Sequence, residues 1–247
     1  MAESQASTRR PAFYAAGPGR WRDWWTLLHP PFTAWHLSYV VLGAMLAPEI
    51  RLDRLMAALG AFFLAVGLSA HALDEFQGRP LHTGIPSPAL IAATVAGLAG
   101  AVALGGWGIT QVGWILLPFM IIGPLLVVGY NAELFGGVIH TDLGFAAAWG
   151  AFPALTGYVG QAGRLAIAPV VMAGAAMALS AAQRHLSTPA RLLRRRTAGL
   201  TGSQALTDGT VIALDVARLL EPLERALRSL SWGVVLLAAA LATARLA

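Results

Sequence analysis

The chain alternates long apolar runs with short polar breaks, and the lengths of the runs predict helices that cross a membrane. Seven runs read as spans, at 32–48, 55–75, 87–107, 109–129, 143–160, 165–183 and 230–246. Each is near or above the ~17 residues that an α-helix needs to cross hydrocarbon. Pro118, Pro124, Pro153 and Pro169 fall within or beside them. Proline is tolerated in such helices where a neighbour or a cavity satisfies the freed carbonyls. Small residues recur inside the runs (GLSAHA, AGLAGAVALGG, MAGAAMALSAA) and permit close helix packing. The glycine-rich GGWGITQVG is read as the turn between the third and fourth spans. The expected fold is therefore an all-α, polytopic membrane helix bundle of about seven transmembrane helices.

Four regions follow: a polar N-terminal segment at 1–29, the bundle at 30–183, a basic connection at 184–209, and a C-terminal region at 210–247. Within the last, residues 210–230 place Ile212, Val216, Leu219, Leu220, Leu223, Leu227 and Leu230 on one stripe. Glu221–Arg225 and Glu224–Arg228 are i,i+4 pairs, so this stretch reads as an amphipathic helix, bent by Pro222, that precedes the last span.

Two polar clusters interrupt the apolar pattern. The first, LSAHALDEFQGRPLH (68–82), carries His71, Asp74, Glu75 and Arg79 at the end of the second span. Positions 71, 74 and 75 stand at i, i+3 and i+4, which predicts one shared helix face. Acids at the end of a span are costly unless paired, solvated or bound to a cation. The second, YNAELFGGVIHTD (130–142), holds Tyr130, Asn131, Glu133, His140 and Asp142 around Gly136-Gly137, which are expected to break the helix. Asp74, Glu75, Glu133 and Asp142 are candidate ligands for Mg²⁺, a hard cation that takes one or two carboxylates together with substrate phosphates. Arg79 suits a phosphate, or a salt bridge to Glu75 at i,i+4. His36, His71 and His140 together suit a transition metal, although the HxxH, HxxxH and ExxH spacings are absent.

Composition sharpens this picture. Charged residues make up only 12% of the chain and mean hydropathy is +0.64, which marks an integral membrane protein. Residues 1–29 lack an apolar h-region, so no cleavable signal is expected; RWRDWW (20–25) reads as an interfacial anchor. Cysteine is absent, which excludes disulfides and thiolate metal sites. All 17 basic residues are arginine, and they flank spans, so the net charge of +5 is not a nucleic-acid signal. With a cytoplasmic N-terminus, thirteen arginines fall on the cytoplasmic side and four (Arg51, Arg54, Arg164, Arg245) on the other. That bias places both polar clusters and the basic connection in the cytoplasm.

At these clusters the chain resembles the UbiA superfamily of intramembrane prenyltransferases, whose first Asp-rich motif lies near the end of the second span. His71, Glu75 and Arg79 fall at that motif's four-residue spacing, with Asp74 beside them. The segment YNAELFGGVIHTDLGFAAAWGAFPALTGYV (130–159) is similar to the loop and fifth span of the menaquinone-type branch. AAQRHLSTPARLLRRRTAGL (181–200) stands where the second motif falls, with Arg184 at a basic position but His185 and Pro189 where aspartates are usual. The resemblance covers about residues 30–200, and the family usually has nine spans where seven are read here.

The resemblance implies a cytoplasm-facing cavity in which Mg²⁺ and basic side chains hold an isoprenoid diphosphate for prenyl transfer or cyclisation. It gives Asp74, Glu75 and His71 the catalytic role. Arg79, Tyr130, Asn131, Glu133, His140 and Arg184 become the substrate-binding set. Two alternatives stand beside it: a catalytically degenerate scaffold that binds an isoprenoid, quinone or carotenoid, and a His/carboxylate metalloenzyme acting on a lipid. The expected partners are the bilayer and a lipid ligand, and a second copy of the chain completing the cavity is compatible with the short span count.

Overall fold

A computed structural model describes residues 10–17 and 19–247, with Phe135 described in its backbone only. Arg9 and the start of the 1–29 segment lie outside the described residues. The described chain is a helix bundle built from α1 (Arg20–Leu27), α2 (Pro30–Ala44), α3 (Leu52–Gly78), α4 (Ser87–Val112), α5 (Trp114–Asn131), α6 (142–162), α7 (Ile167–Arg196) and α8 (Val216–Leu246). A hairpin of β1 (Gly202–Ala205) and β2 (Val211–Leu214) joins α7 to α8.

Five of these helices, α3, α4, α5, α7 and α8, are long and apolar enough to cross a membrane. The other two expected spans, α2 and α6, are helices in the expected places but fall short of that standard, α2 with only 15 residues. They form the middle of the bundle, where protein rather than lipid surrounds them. Trp35, Tyr39, Val40, Leu42 and Ala44 are all buried, so α2 is covered around its whole circumference. One core joins Trp35, Tyr39 and Leu42 to Ala154, Ala173, Ala176, Val234 and Ala238 from α6, α7 and α8. A second joins Val40 to Phe62, Val66, Val127, Tyr130 and Trp149 from α3, α5 and α6.

The α2–α6 contact is made by backbone. A Cβ on Gly43 would stand 1.9 Å from the Ala154 carbonyl oxygen, and one on Gly157 would stand 2.2 Å from that of Val40. The two glycines therefore let the central helices touch main chain to main chain. Elsewhere the expectation about glycine fails. GGWGITQVG is not a turn: α4 runs through it to Val112, and the chain breaks only at Gly113, whose φ is +89°. Gly105 is needed inside the helix, because a Cβ there would meet Met120 Cγ at 2.6 Å.

The basic connection and the amphipathic stretch also differ from expectation. Helix α7 continues through the polar QRHLSTPAR to Arg196, and residues 216–246 form one helix through Pro222. At 1.5 Å per residue these two helices are about 45 Å long, well beyond the ~30 Å of a hydrocarbon core. Their charged ends lie together and are held by Ala190, Leu220 and Leu227. The Arg194–Glu224 ion pair, at 2.6 Å with side chains 5% and 10% exposed, locks the same contact. Ile212, expected on the helix stripe, lies instead in β2, because the chain turns at Thr207-Asp208-Gly209, where Asp208 accepts from the Thr210 N–H and Gly209 takes φ +86°.

Gly43→Val and Gly157→Val should each destabilise the bundle by at least the about 1–3 kcal/mol of an overpacked core. Gly174→Ala, at a position where a Cβ meets nothing within 4 Å, should stay within about 0.5 kcal/mol. Unfolding in mixed micelles measures both; equal stability across the three variants would contradict the backbone contact.

Candidate functional site

The polar ends of α3, α5 and α7, the start of α2 and the segment 10–16 enclose a cavity of about 970 Å³. Three widened, π-helical stretches border it: Phe63–Ala70 in α3, Ala147–Ala151 in α6 and Leu192–Arg196 at the end of α7. Such turns leave the α-helical ladder locally irregular and are frequent at functional sites.

Each histidine of the expected trio bonds a backbone carbonyl, two of them within these π-helical stretches and one at the end of α5. Pro153 has no N–H to offer the Trp149 carbonyl, its i−4 partner in an α-helix. That carbonyl accepts instead from His36 Nδ1 at 2.9 Å. His71 Nδ1 donates to Gly67 O at 3.0 Å, and His140 Nδ1 to the helix-terminal Tyr130 O at 3.0 Å. A carbonyl only accepts, so in all three the hydrogen sits on Nδ1 and Nε2 is left as an acceptor. All three rings line the cavity. They are not a metal centre: among the described residues no group of three or more His, Asp or Glu is placed to hold one ion.

The first cluster divides. Successive helix residues are 100° apart, so Asp74 and Glu75 diverge to either side of His71. His71 and Asp74 line the cavity, whereas Glu75 is fully buried outside it. Glu75 accepts from the Leu81 N–H (2.9 Å), the Thr83 N–H (2.8 Å) and the Thr83 hydroxyl (2.9 Å). Arg79 borders the cavity but does not bridge to Glu75; its guanidinium donates to Ile85 O (2.6 Å) and Ser87 Oγ (2.8 Å). The pair thus staples the loop between α3 and α4 from both sides, Glu75 taking its N–H groups and Arg79 its carbonyls.

From the second cluster Tyr130, Asn131, Glu133 and His140 reach the cavity, and Gly136 and Gly137, at φ +70° and +77°, break the chain as expected. Asp142 does not reach it. It binds Arg184 Nε at 2.9 Å, and Arg184 in turn lies over the Phe145 ring at 5.4 Å. The four carboxylates named for Mg²⁺ therefore do not converge: Glu75 serves a loop, Asp142 serves an arginine, and Glu133 is largely solvent-exposed. Of the four, Asp74 and Glu133 line the cavity, and both are exposed. Among the described residues these carboxylates are not part of any group of three or more ligands placed to hold one ion.

Positive charge dominates instead. Arg79, Arg184, Arg191, Arg194, Arg195 and Arg196 line the cavity against Asp74, Glu133 and Glu224, six against three, and Glu224 is already paired with Arg194. Arg191 and Arg195 were missed in the sequence because α7 was read as ending at 183. Arg184, Ser187, Thr188, Arg191 and Arg195 recur at helical spacing, and that stripe is the signal that finds them. His29 and Gln183 were missed as well. The His29 ring lies 4.0 Å from that of His71. Burial, then His71 and the Arg195 and Arg191 guanidinia, holds the His29 imidazole well below the usual histidine range.

The segment 10–16 closes the open end. Arg195 Nε donates to Pro11 O at 2.9 Å, Arg194 Nη1 to Arg10 O at 3.2 Å, and Thr26 Oγ1 accepts from the Ala16 N–H at 3.0 Å. Phe13 and Tyr14 pack with Phe32 and, in the case of Tyr14, with His29. Burial pushes the Tyr14 phenol up, so it stays protonated.

Glu75→Ala removes the acceptor for two backbone N–H groups, at about 1–3 kcal/mol for each left buried and unpaired, and should lower the unfolding midpoint in detergent. Asp74→Asn should leave that midpoint near wild type. The reverse order would exchange the structural and cavity roles assigned to these neighbours. No family model, curated protein or solved structure matches this chain.

Proposed function

We propose that this chain is a UbiA-like intramembrane protein that receives the head of an isoprenoid diphosphate in the arginine-walled cavity. The carrying observation is the excess of guanidinium over carboxylate around that space. Guanidinium forks bind phosphate oxygens bidentately, and here they take the neutralising role that Mg²⁺ would otherwise have. Arg184 and Arg191 line the cavity two turns apart on α7, and Arg195 follows one turn beyond.

A hydrocarbon tail has a place in the same reading. An apolar cavity of about 110 Å³, lined by Phe62, Phe119, Met120 and Phe152, shares Val66 and Trp149 with the polar one. In the enzymatic form of the proposal, the prenyl C–O bond breaks with its electron pair leaving on the diphosphate. The guanidinia stabilise that charge, while Trp149, Tyr130 and Phe145 shield the allylic cation. Transfer and cyclisation share this ionisation.

Orientation belongs to the proposal too. Among the described residues twelve arginines lie at the cavity end and four at the other, which by the positive-inside rule puts the cavity in the cytoplasm. The binding scaffold is the second reading, favoured by the lack of a convergent carboxylate set.

Purified protein in nanodiscs should bind geranyl, farnesyl or geranylgeranyl diphosphate in EDTA, and Arg191→Gln should weaken that binding about tenfold or more, as loss of a charge-assisted hydrogen bond implies. Pyrophosphate release on mixing identifies the enzyme; binding without release identifies the scaffold. Binding that appears only with Mg²⁺, or no binding at all, overturns the arginine-held site.

A further inference from the structure

Segment 10–16 brings one side chain to the polar cavity that the anion site described above leaves without a task. Tyr14 lines the cavity and is half-buried. Its ring sits among three others: Phe13 edge-on at 5.2 Å, Phe32 edge-on at 5.6 Å and His29 tilted at 5.3 Å. Phe13 in turn packs on Phe32 at 6.1 Å and carries the Arg228 guanidinium over its face at 4.9 Å. The ring is thereby seated from the start of α2 and from α8. Its hydroxyl has no hydrogen-bond partner among the described residues, and it is not one of the unpartnered atoms that burial seals from solvent.

The charges that this hydroxyl feels are those of Arg195, Arg191 and Asp74, all on the cavity wall. A guanidinium only donates, so neither arginine can take the phenolic hydrogen. Asp74 is the one acceptor of the three, and it is not bonded to the phenol. An anion held by the two guanidinia offers that acceptor, and a diphosphate has more oxygens than two guanidinium forks occupy. The backbone of the segment meets the same wall. Arg195 Nε donates to Pro11 O at 2.9 Å, and its two Nη groups remain as donors. An anion on those groups fixes the guanidinium in the orientation that holds Pro11. By linkage, each then favours the other.

We propose that Tyr14 is a ligand-binding residue, donating its phenolic hydrogen to the anion on Arg191 and Arg195, and that segment 10–16 closes more firmly over the cavity when that anion is bound. The inference rests on the anion-binding reading above and adds to it a neutral donor and a strap.

The full chain in phosphatidylcholine nanodiscs with EDTA tests it, with pyrophosphate as the probe. Tyr14→Phe keeps the ring and its packing but loses the hydroxyl. It should keep the wild-type unfolding midpoint and bind pyrophosphate about tenfold more weakly in calorimetric titration, the worth of one hydrogen bond to a charged group. Closure is read separately. The chain has no cysteine, so Ala12→Cys and Ala15→Cys, at positions 8% and 3% exposed, report opening of the segment through their rate of maleimide labelling. Saturating pyrophosphate should slow that labelling about fivefold or more, the low end of a coupling between two sites. Unchanged affinity in Tyr14→Phe, or a lowered midpoint, makes the hydroxyl idle or structural and overturns the phenol contact. Labelling that pyrophosphate leaves unchanged or speeds overturns the closure. Absence of pyrophosphate binding in wild type overturns instead the anion site on which both rest.

Discussion

A backbone carbonyl or N–H that enters a bilayer has to find its partner within the protein, and this demand organises the whole molecule. At the end away from the cavity, arginines and a glutamine meet it. Arg54 donates to the carbonyls of Gln161 and Gln111, Arg245 to those of Ala47 and Pro48, and the Gln161 amide pairs with both the N–H and the carbonyl of Arg51. At the cavity end Glu75 and Arg79 do the same for the loop between α3 and α4. Side chains that look in sequence like charges awaiting a ligand are, at both ends, completing the main chain.

The cavity exists because the demand is met differently there. Its three π-helical borders and Pro153 disturb the regular ladder, and histidines donate to the carbonyls of Trp149, Gly67 and Tyr130. Each histidine so used is held in ring orientation by its Nδ1 bond, and each lines the cavity. Structural satisfaction and functional presentation are thus one interaction seen from its two ends, a relation also found where histidines serve as oriented ligands.

Hydropathy made the helices legible, because exclusion of backbone polarity from lipid is recorded in run length. It located α2 and α6 as well, although these are the buried pair and carry less of the apolar signal. What it could not resolve was phase. Whether Glu75 or Asp74 faces the cavity depends on the π-helical stretch before them and on the loop at 79–86, and neither follows from i, i+3, i+4 spacing alone. The end of α7 was misjudged for a related reason. Its last turns are polar because they stand outside hydrocarbon, yet the arginine stripe of 184, 191 and 195 keeps helical period. Helix and apolar run are separate properties, and only the apolar run ends near 183.

That excess of helix over span gives the site an unusual position. The polar ends of α7 and α8, clamped by Arg194 and Glu224, form one wall of the cavity, while Trp149 and Val66 join it to the apolar cavity beside it. Under the proposed function the cavity is a phase boundary with walls, at which a solute soluble only in water and one soluble only in oil would meet without either leaving the medium that dissolves it. The free energy of transferring a charged head into oil, or an alkyl chain into water, would never enter the encounter.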